Sequence, residues 1–261
     1  MEVLYGLHPV EEAVRASGRR LDRIVVARER RDPRLEELLR QARQAGLRVS
    51  VEPREQLTRL ARTDAHQGVL AFVKERQFLT VEDLLASPPR GKHYFFLALD
   101  GVEDPHNLGA LLRTADGAGV DGVLLPERRS APVSATVAKT SAGASEHVRI
   151  ARVTNLVRAL EQLKQANVWV VGLDERGTPD YPDYDFNSHC VLVLGREGAG
   201  LHDLVKKTCD HLLRIPMAGS VSSLNVSVAG AVVMYEAMRQ RRSPVAVAEA
   251  RPARPRKGLG S

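Results

Sequence analysis

Long hydrophobic runs are missing from this chain. No apolar stretch reaches the roughly twenty residues that span a bilayer, and the opening MEVLYGLHPVEEAVR lacks the basic-then-apolar layout of a secretory leader. The expectation is a cytoplasmic protein with no membrane contact. Cysteine is nearly absent as well: Cys190 and Cys209 are the only two in 261 residues, and neither has a second Cys or a His at ligand spacing. That argues against a disulfide framework and a zinc site, so no metal is expected and both thiols read as buried. Isolated histidines such as His8 and His106 read as capping, packing or phosphate-adjacent groups. Also lacking is the G-x-G-x-x-G run after a first strand that a dinucleotide-binding oxidoreductase would need.

The charge that is present sits unevenly. Residues 1–90 hold 17 Lys/Arg against 14 Asp/Glu, residues 91–240 hold 15 against 17, and residues 241–261 hold 6 against 1. The formal net charge of +6 therefore comes from the ends of the chain. Such a distribution suits polyanion attraction through accessory parts, with chemistry in a body that need not be basic.

Hydrophobic periodicity divides the chain. Over 1–75 it predicts a small α/β module, with helices at 8–17, 33–46 and 54–62 and strands at 21–27, 47–51 and 68–73. The pattern weakens over 76–91, where Pro-Pro-Arg-Gly breaks it, and this is read as the linker. Over 92–242 strands and helices alternate, which predicts a parallel sheet covered on both faces, with ligand loops after residues 100, 173, 195 and 215. Residues 243–261 read as a basic disordered tail.

Three of those loops carry chemistry. In LDGVEDPHNLGALLRTADGAG (99–119), Leu108, Leu111, Leu112 and Ala115 form a helical stripe with Asn107 placed to cap it. Arg113 lies off the stripe, and Gly109 leaves room for a ligand backbone or phosphate. In LVLGREGAGL (192–201), glycines lead from a buried strand towards a helix. Glu197 would repel a phosphate there, so a cationic centre or ribose hydroxyls fit better, although a helix-dipole role explains it equally. The third loop precedes VSVAGAVVMYEAM: Ser222 or Ser223 can cap that helix, but Ser220, Asn225 and Ser227 need another reason. An unpartnered buried amide costs on the order of 1 to 3 kcal/mol, so Asn225 is expected to meet another loop or a substrate. A helix apolar on nearly every side needs more cover than one sheet, which points to a second subunit.

Taken in order, these stretches resemble the SpoU (TrmH-like) family of S-adenosylmethionine-dependent RNA ribose 2′-O-methyltransferases. Asn107, Gly109 and Arg113 match its first motif. Leu194, Gly195, Glu197 and Gly200 match the second, and Ile215 through Ala229, including Met217, Ser223, Leu224 and Asn225, match the third. YGLHPVEEAV (5–14) and the module after it look like the L7Ae/L30-type RNA-binding domain of the branch that methylates guanosine riboses in 23S ribosomal RNA.

The resemblance implies an α/β SPOUT-type fold whose stretch 195–230 forms a C-terminal trefoil knot, and a homodimer. It implies that Leu194, Gly195, Gly200, Ile215, Met217 and Leu224 hold S-adenosyl-L-methionine. Asn107, Arg113, Glu197, Ser223 and Asn225 would be the catalytic set. Arg113 is either the general base, as proposed for the family, or an electrostatic group beside the target ribose. RNA is the expected partner, 23S ribosomal RNA first. Transfer RNA or another ribosomal nucleotide is the alternative target, and a non-catalytic assembly factor the alternative function.

Overall fold

The computed structural model describes residues 1–16 and 21–242; the expected tail at 243–261 lies outside the described residues. The chain forms two sheets, each with its own core.

The first sheet holds β1 (Glu2–Tyr5), β2 (Leu21–Ala27), β3 (Arg48–Glu52) and β4 (Val69–Val73), in the order β1-β4-β2-β3. β4 runs antiparallel to β1 and β2, and β2 parallel to β3. Alternation along β2 sends Ile24 and Val26 to the side of helices α1 (Leu7–Arg15) and α2 (Pro33–Gln44). Val25 and Ala27 face α3 (Arg54–Ala61) through Leu57. α2 starts where Pro33 fixes φ and Asp32 accepts from the Leu35 N–H, and it buries Leu35, Leu38 and Ala42. β1 was not legible in the sequence: four residues that pair along one side with β4 carry too short a pattern.

The second sheet is wholly parallel. Its strands are β5 (Phe95–Leu99), β6 (Gly122–Pro126), β7 (Ile150–Val153), β8 (Trp169–Leu173), β9 (Cys190–Leu194) and β10 (His211–Leu213), in the order β10-β8-β9-β5-β6-β7. Every residue of β5 and β9 is buried, because both faces are covered. Phe95, Leu97 and Leu192 pack under α5 (Pro105–Gly117) and α9 (Val226–Arg241). Phe96, Ala98 and Val191 pack under α4 (Val81–Ala86), α7 (Leu156–Gln165) and α8 (Asp203–Thr208).

The stretch 76–91, expected to be a linker, carries α4 and belongs to this second core. Thr80 and Asp83 cap α4 reciprocally, and Val81 and Leu84 are buried. Helix α6 (Ala135–Thr140) joins the units: Thr136 Oγ1 lies 3.4 Å from Tyr5 Oη, and Lys139 donates to the Ala65 carbonyl. Nearby, His147 Nε2 meets Glu12 Oε2 at 2.7 Å, and the Arg76–Glu146 ion pair is buried. Among the described residues no helix is long and apolar enough to cross a membrane.

Candidate active site at the carboxyl edge of the parallel sheet

Beyond the carboxyl ends of β8, β9 and β10 lies a cavity of about 240 Å³. Its walls come from the loops after β8, β9 and β10 and from the segment that leads into α9. All six residues expected to hold the cofactor, Leu194, Gly195, Gly200, Ile215, Met217 and Leu224, line it, together with Glu197 and Ser223. The loop after β9 closes on itself through paired bonds, Arg196 N to Gly200 O and Gly200 N to Arg196 O, both 3.0 Å. Gly195 is needed at the pinch, because a Cβ there would sit 2.2 Å from the Gly200 carbonyl carbon. Gly200 turns the chain at φ +66°, a conformation that other L-residues adopt only with strain.

At the cavity's border three side chains from distant segments share hydrogen bonds. Asn107 Nδ2 donates to Glu197 Oε2 at 3.2 Å. Asn225 Nδ2 donates to Glu197 Oε1 at 3.1 Å and to Asn107 Oδ1 at 3.0 Å. Glu197 is thus held by two amides, one on each carboxylate oxygen, in a residue that is exposed at the cavity's border. Asn225 is also the N-cap of α9, its Oδ1 accepting from Ser227 N and Ser227 Oγ. The expectation that Ser222 or Ser223 caps this helix is corrected accordingly. Asn225 lies just before the first turn rather than inside it.

Two further expectations about α5 are corrected. Its cap is Asp104, which accepts from His106 N, so Asn107 stands inside the first turn, buried and free to reach Glu197. Gly109 admits a neighbouring helix, not a ligand: a Cβ there would fall 1.9 Å from Thr140 Oγ1 of α6. Nor does a helix begin at Glu197, since α8 starts only at Asp203. Arg113 is not brought to the amide–carboxylate cluster. Six residues beyond Asn107, it points about a third of a turn away, is exposed, and makes no hydrogen bond or ion pair with the described residues.

The cavity also exposes what sequence reasoning left out. Asp174 and Glu175 follow β8 and line the cavity opposite Gly195 and Glu197. Burial opposes ionisation of Asp174, but Lys206 at 2.6 Å and the Arg176 N–H outweigh it and hold the carboxyl below its usual range. The cavity wall is therefore acidic. The available signal was position alone, an acid directly after a buried strand in a ligand-bearing loop.

Comparison with known proteins agrees with this geometry. Residues 94–235 match the SpoU rRNA Methylase family, and residues 3–79 match the RNA 2′-O ribose methyltransferase substrate binding family. The chain is 44% identical over 244 residues to the 23S rRNA (guanosine-2′-O-)-methyltransferase RlmB of Ralstonia nicotianae, covering 92% of this chain and 96% of that one. It is 41% identical over 242 residues to RlmB of Shewanella oneidensis, with 93% and 98% covered. Among solved structures, the SpoU methyltransferase AviRb of Streptomyces viridochromogenes, in complex with AdoMet, superposes with a TM-score of 0.76 at 28% identity over 92% of this chain and 90% of that one. The chain belongs to the SpoU rRNA methylase family.

Proposed function

We propose that this protein transfers a methyl group from S-adenosyl-L-methionine to the 2′-hydroxyl of a guanosine in 23S ribosomal RNA. The observation that carries this reading is the hydrogen-bonded set Asn107, Glu197 and Asn225 at the border of a glycine-walled cavity. The names of the RlmB relatives, aligned over nearly the whole chain, supply the target.

The residues present suit the methyl donor. Backbone from Gly195 to Gly200 and the apolar Leu194, Ile215, Met217 and Leu224 offer a wall for an adenosine, and the Asp174, Glu175 and Glu197 carboxylates favour a cationic centre. When bound, S-adenosyl-L-methionine supplies an electrophilic methyl on a sulfonium. The chain's task is alignment, because holding a hydroxyl in line with that methyl supplies much of the rate. Glu197, fixed by two amides, accepts a hydrogen bond from the ribose, and Ser223 orients it from the cavity wall. Arg113, exposed on α5 away from that cluster, holds a neighbouring phosphate of the RNA backbone. A guanidinium keeps its proton at working pH, which favours this charge role over that of a general base.

The remaining architecture follows from the same reading. Residues 1–75 act as the RNA-binding domain and 76–242, α4 included, as the methyltransferase domain. A trefoil knot over 195–230 is supported by the path of the chain, which leaves β9 for β10 beyond β8 and then returns to pack α9 on α5. A homodimer is supported by α9, which buries Gly230, Val233, Met234 and Ala237 but leaves Val228 and Tyr235 48% exposed. A ribosomal substrate supports a cytoplasmic location.

The test is incorporation of labelled methyl into protein-free 23S ribosomal RNA and into bulk transfer RNA, by wild type and Arg113→Ala, with the methylated ribose mapped. Label on a 23S guanosine, lost in the variant, is the expected result. Label confined to transfer RNA would keep the chemistry and overturn the target.

A further inference from the structure

The loop after β6, Glu127-Arg128-Arg129-Ser130, has no part in the cavity or the amide–carboxylate cluster, yet it carries two neighbouring cations. Both arginines are exposed, and neither forms a hydrogen bond or ion pair with the described residues. Arg34, Arg40 and Arg239, by contrast, are tied to Glu11, Glu37 and Glu236. Arg129 is moreover held at φ 57°, the left-handed region that a non-glycine residue occupies only with strain.

The loop's place in the fold gives this a meaning. Along the carboxyl edge the order runs from the cavity at β8 and β9 to the loop after β5, which starts α5, and then to the loop after β6. The two loops are tied by the bond from Ala131 N to Val102 O at 2.9 Å. Directly after the second loop comes α6, the helix on which the N-terminal unit docks through Tyr5 and Ala65. An RNA held by that unit and presenting a ribose to the cavity must pass along this edge. The segment 91–240 carries a slight excess of acid, 17 Asp/Glu against 15 Lys/Arg.

We infer that Arg128 and Arg129 form a phosphate-contact site that guides the RNA backbone between the N-terminal unit and the cavity. The inference rests on the reading above that the substrate is RNA. The ligand is the phosphodiester backbone, recognised by paired planar donors without regard to base. Both residues are positioning groups and touch no reacting atom. Glu127 is the acid nearest in sequence, and among the described residues it makes no ion pair with either arginine.

The experiment compares wild type with Arg128→Ala/Arg129→Asn, in which Asn tolerates the left-handed backbone while removing the charge. Binding to protein-free 23S ribosomal RNA is followed by filter retention across a salt series, and methyl transfer is measured as a function of RNA concentration. The double variant should bind with a salt slope shallower by about one for each guanidinium lost. KM for RNA should rise about tenfold with kcat at saturating RNA unchanged, and S-adenosyl-L-methionine should still raise the melting temperature. Arg128→Lys/Arg129→Lys should restore the slope. An unchanged slope and KM in the double variant would sink the inference. So would an unchanged slope with a shift in sedimentation, which would make the loop a contact between copies. Should wild type bind 23S RNA but methylate none of it, the proposed target falls, while the comparison of slopes still decides the arginine site.

Discussion

Asn225 donates to the Oδ1 of Asn107 across 118 residues of chain, at 3.0 Å. One amide thereby joins the start of α9 to the first turn of α5, and both amides hold Glu197. Asn225 serves the helix with its oxygen and the site with its nitrogen.

Those two duties separate by mutation. Asn225→Asp keeps the acceptor for Ser227 N, so the start of α9 should persist, but it sets a carboxylate against Glu197 and Asn107 Oδ1, and methyl transfer should fall more than tenfold. Asn225→Ala removes both, adding about 1 kcal/mol of lost cap. Urea melts beside turnover measurements distinguish the cases, and an active Asn225→Asp enzyme would contradict the role given to the amide.

Gly109→Ala should destabilise the protein by about 1 to 3 kcal/mol through overpacking, because the new methyl would meet Thr140 Oγ1 at 1.9 Å and Ser141 N at 3.0 Å. Thr140 also donates to the Pro105 carbonyl, so the strain falls on the turn that carries Asn107. A thermal melt equal to wild type would show that the helices part more easily than their packing implies.

Gly195→Ala is expected to act on the cavity rather than on the cores. Its Cβ would lie 2.2 Å from the Gly200 carbonyl carbon and 2.4 Å from Leu201 N, prising the loop open. Calorimetry should find S-adenosyl-L-methionine binding lost, with the far-ultraviolet circular dichroism retained.

His66 gives the first sheet a pH dependence. Buried, it accepts from Gly68 N through Nδ1 and lies 3.1 Å from Thr58 Oγ1 through Nε2, an arrangement for the neutral ring. Burial, aided by Arg54, lowers its pKa from 6.5. The unfolded chain then takes up the proton more readily, so this contribution to stability is present above pH 6.5 and lost as pH falls below it. The urea midpoint should drop as pH falls below 6.5, less steeply in His66→Gln. Equal slopes would assign the drop to other groups.

The sequence by itself determined the two α/β units, the parallel order of the second and the loops that bear its chemistry. Alternation and apolar runs are local, and each strand of β5 to β9 carries its own signal. The cavity wall was legible only through the resemblance to the SpoU motifs: Gly195 follows β9 and Ile215 lies just past β10, but Gly200 and Leu224 lie farther along their loops, where no periodicity marks them. Tertiary structure alone decided which polar groups meet. Asn107 looked like a cap because its position before an apolar stripe suited one, but Asp104 starts the helix and releases the amide for Glu197. Gly109 looked like room for a ligand until α6 filled it. The 76–91 stretch looked like a linker because its pattern is weak and Pro-Pro-Arg-Gly interrupts it, and the burial of its helix comes from β7 and α7, far along the chain. Partners separated by a hundred residues leave no periodicity, and only the order of strands in the sheet brings them within a hydrogen bond's length.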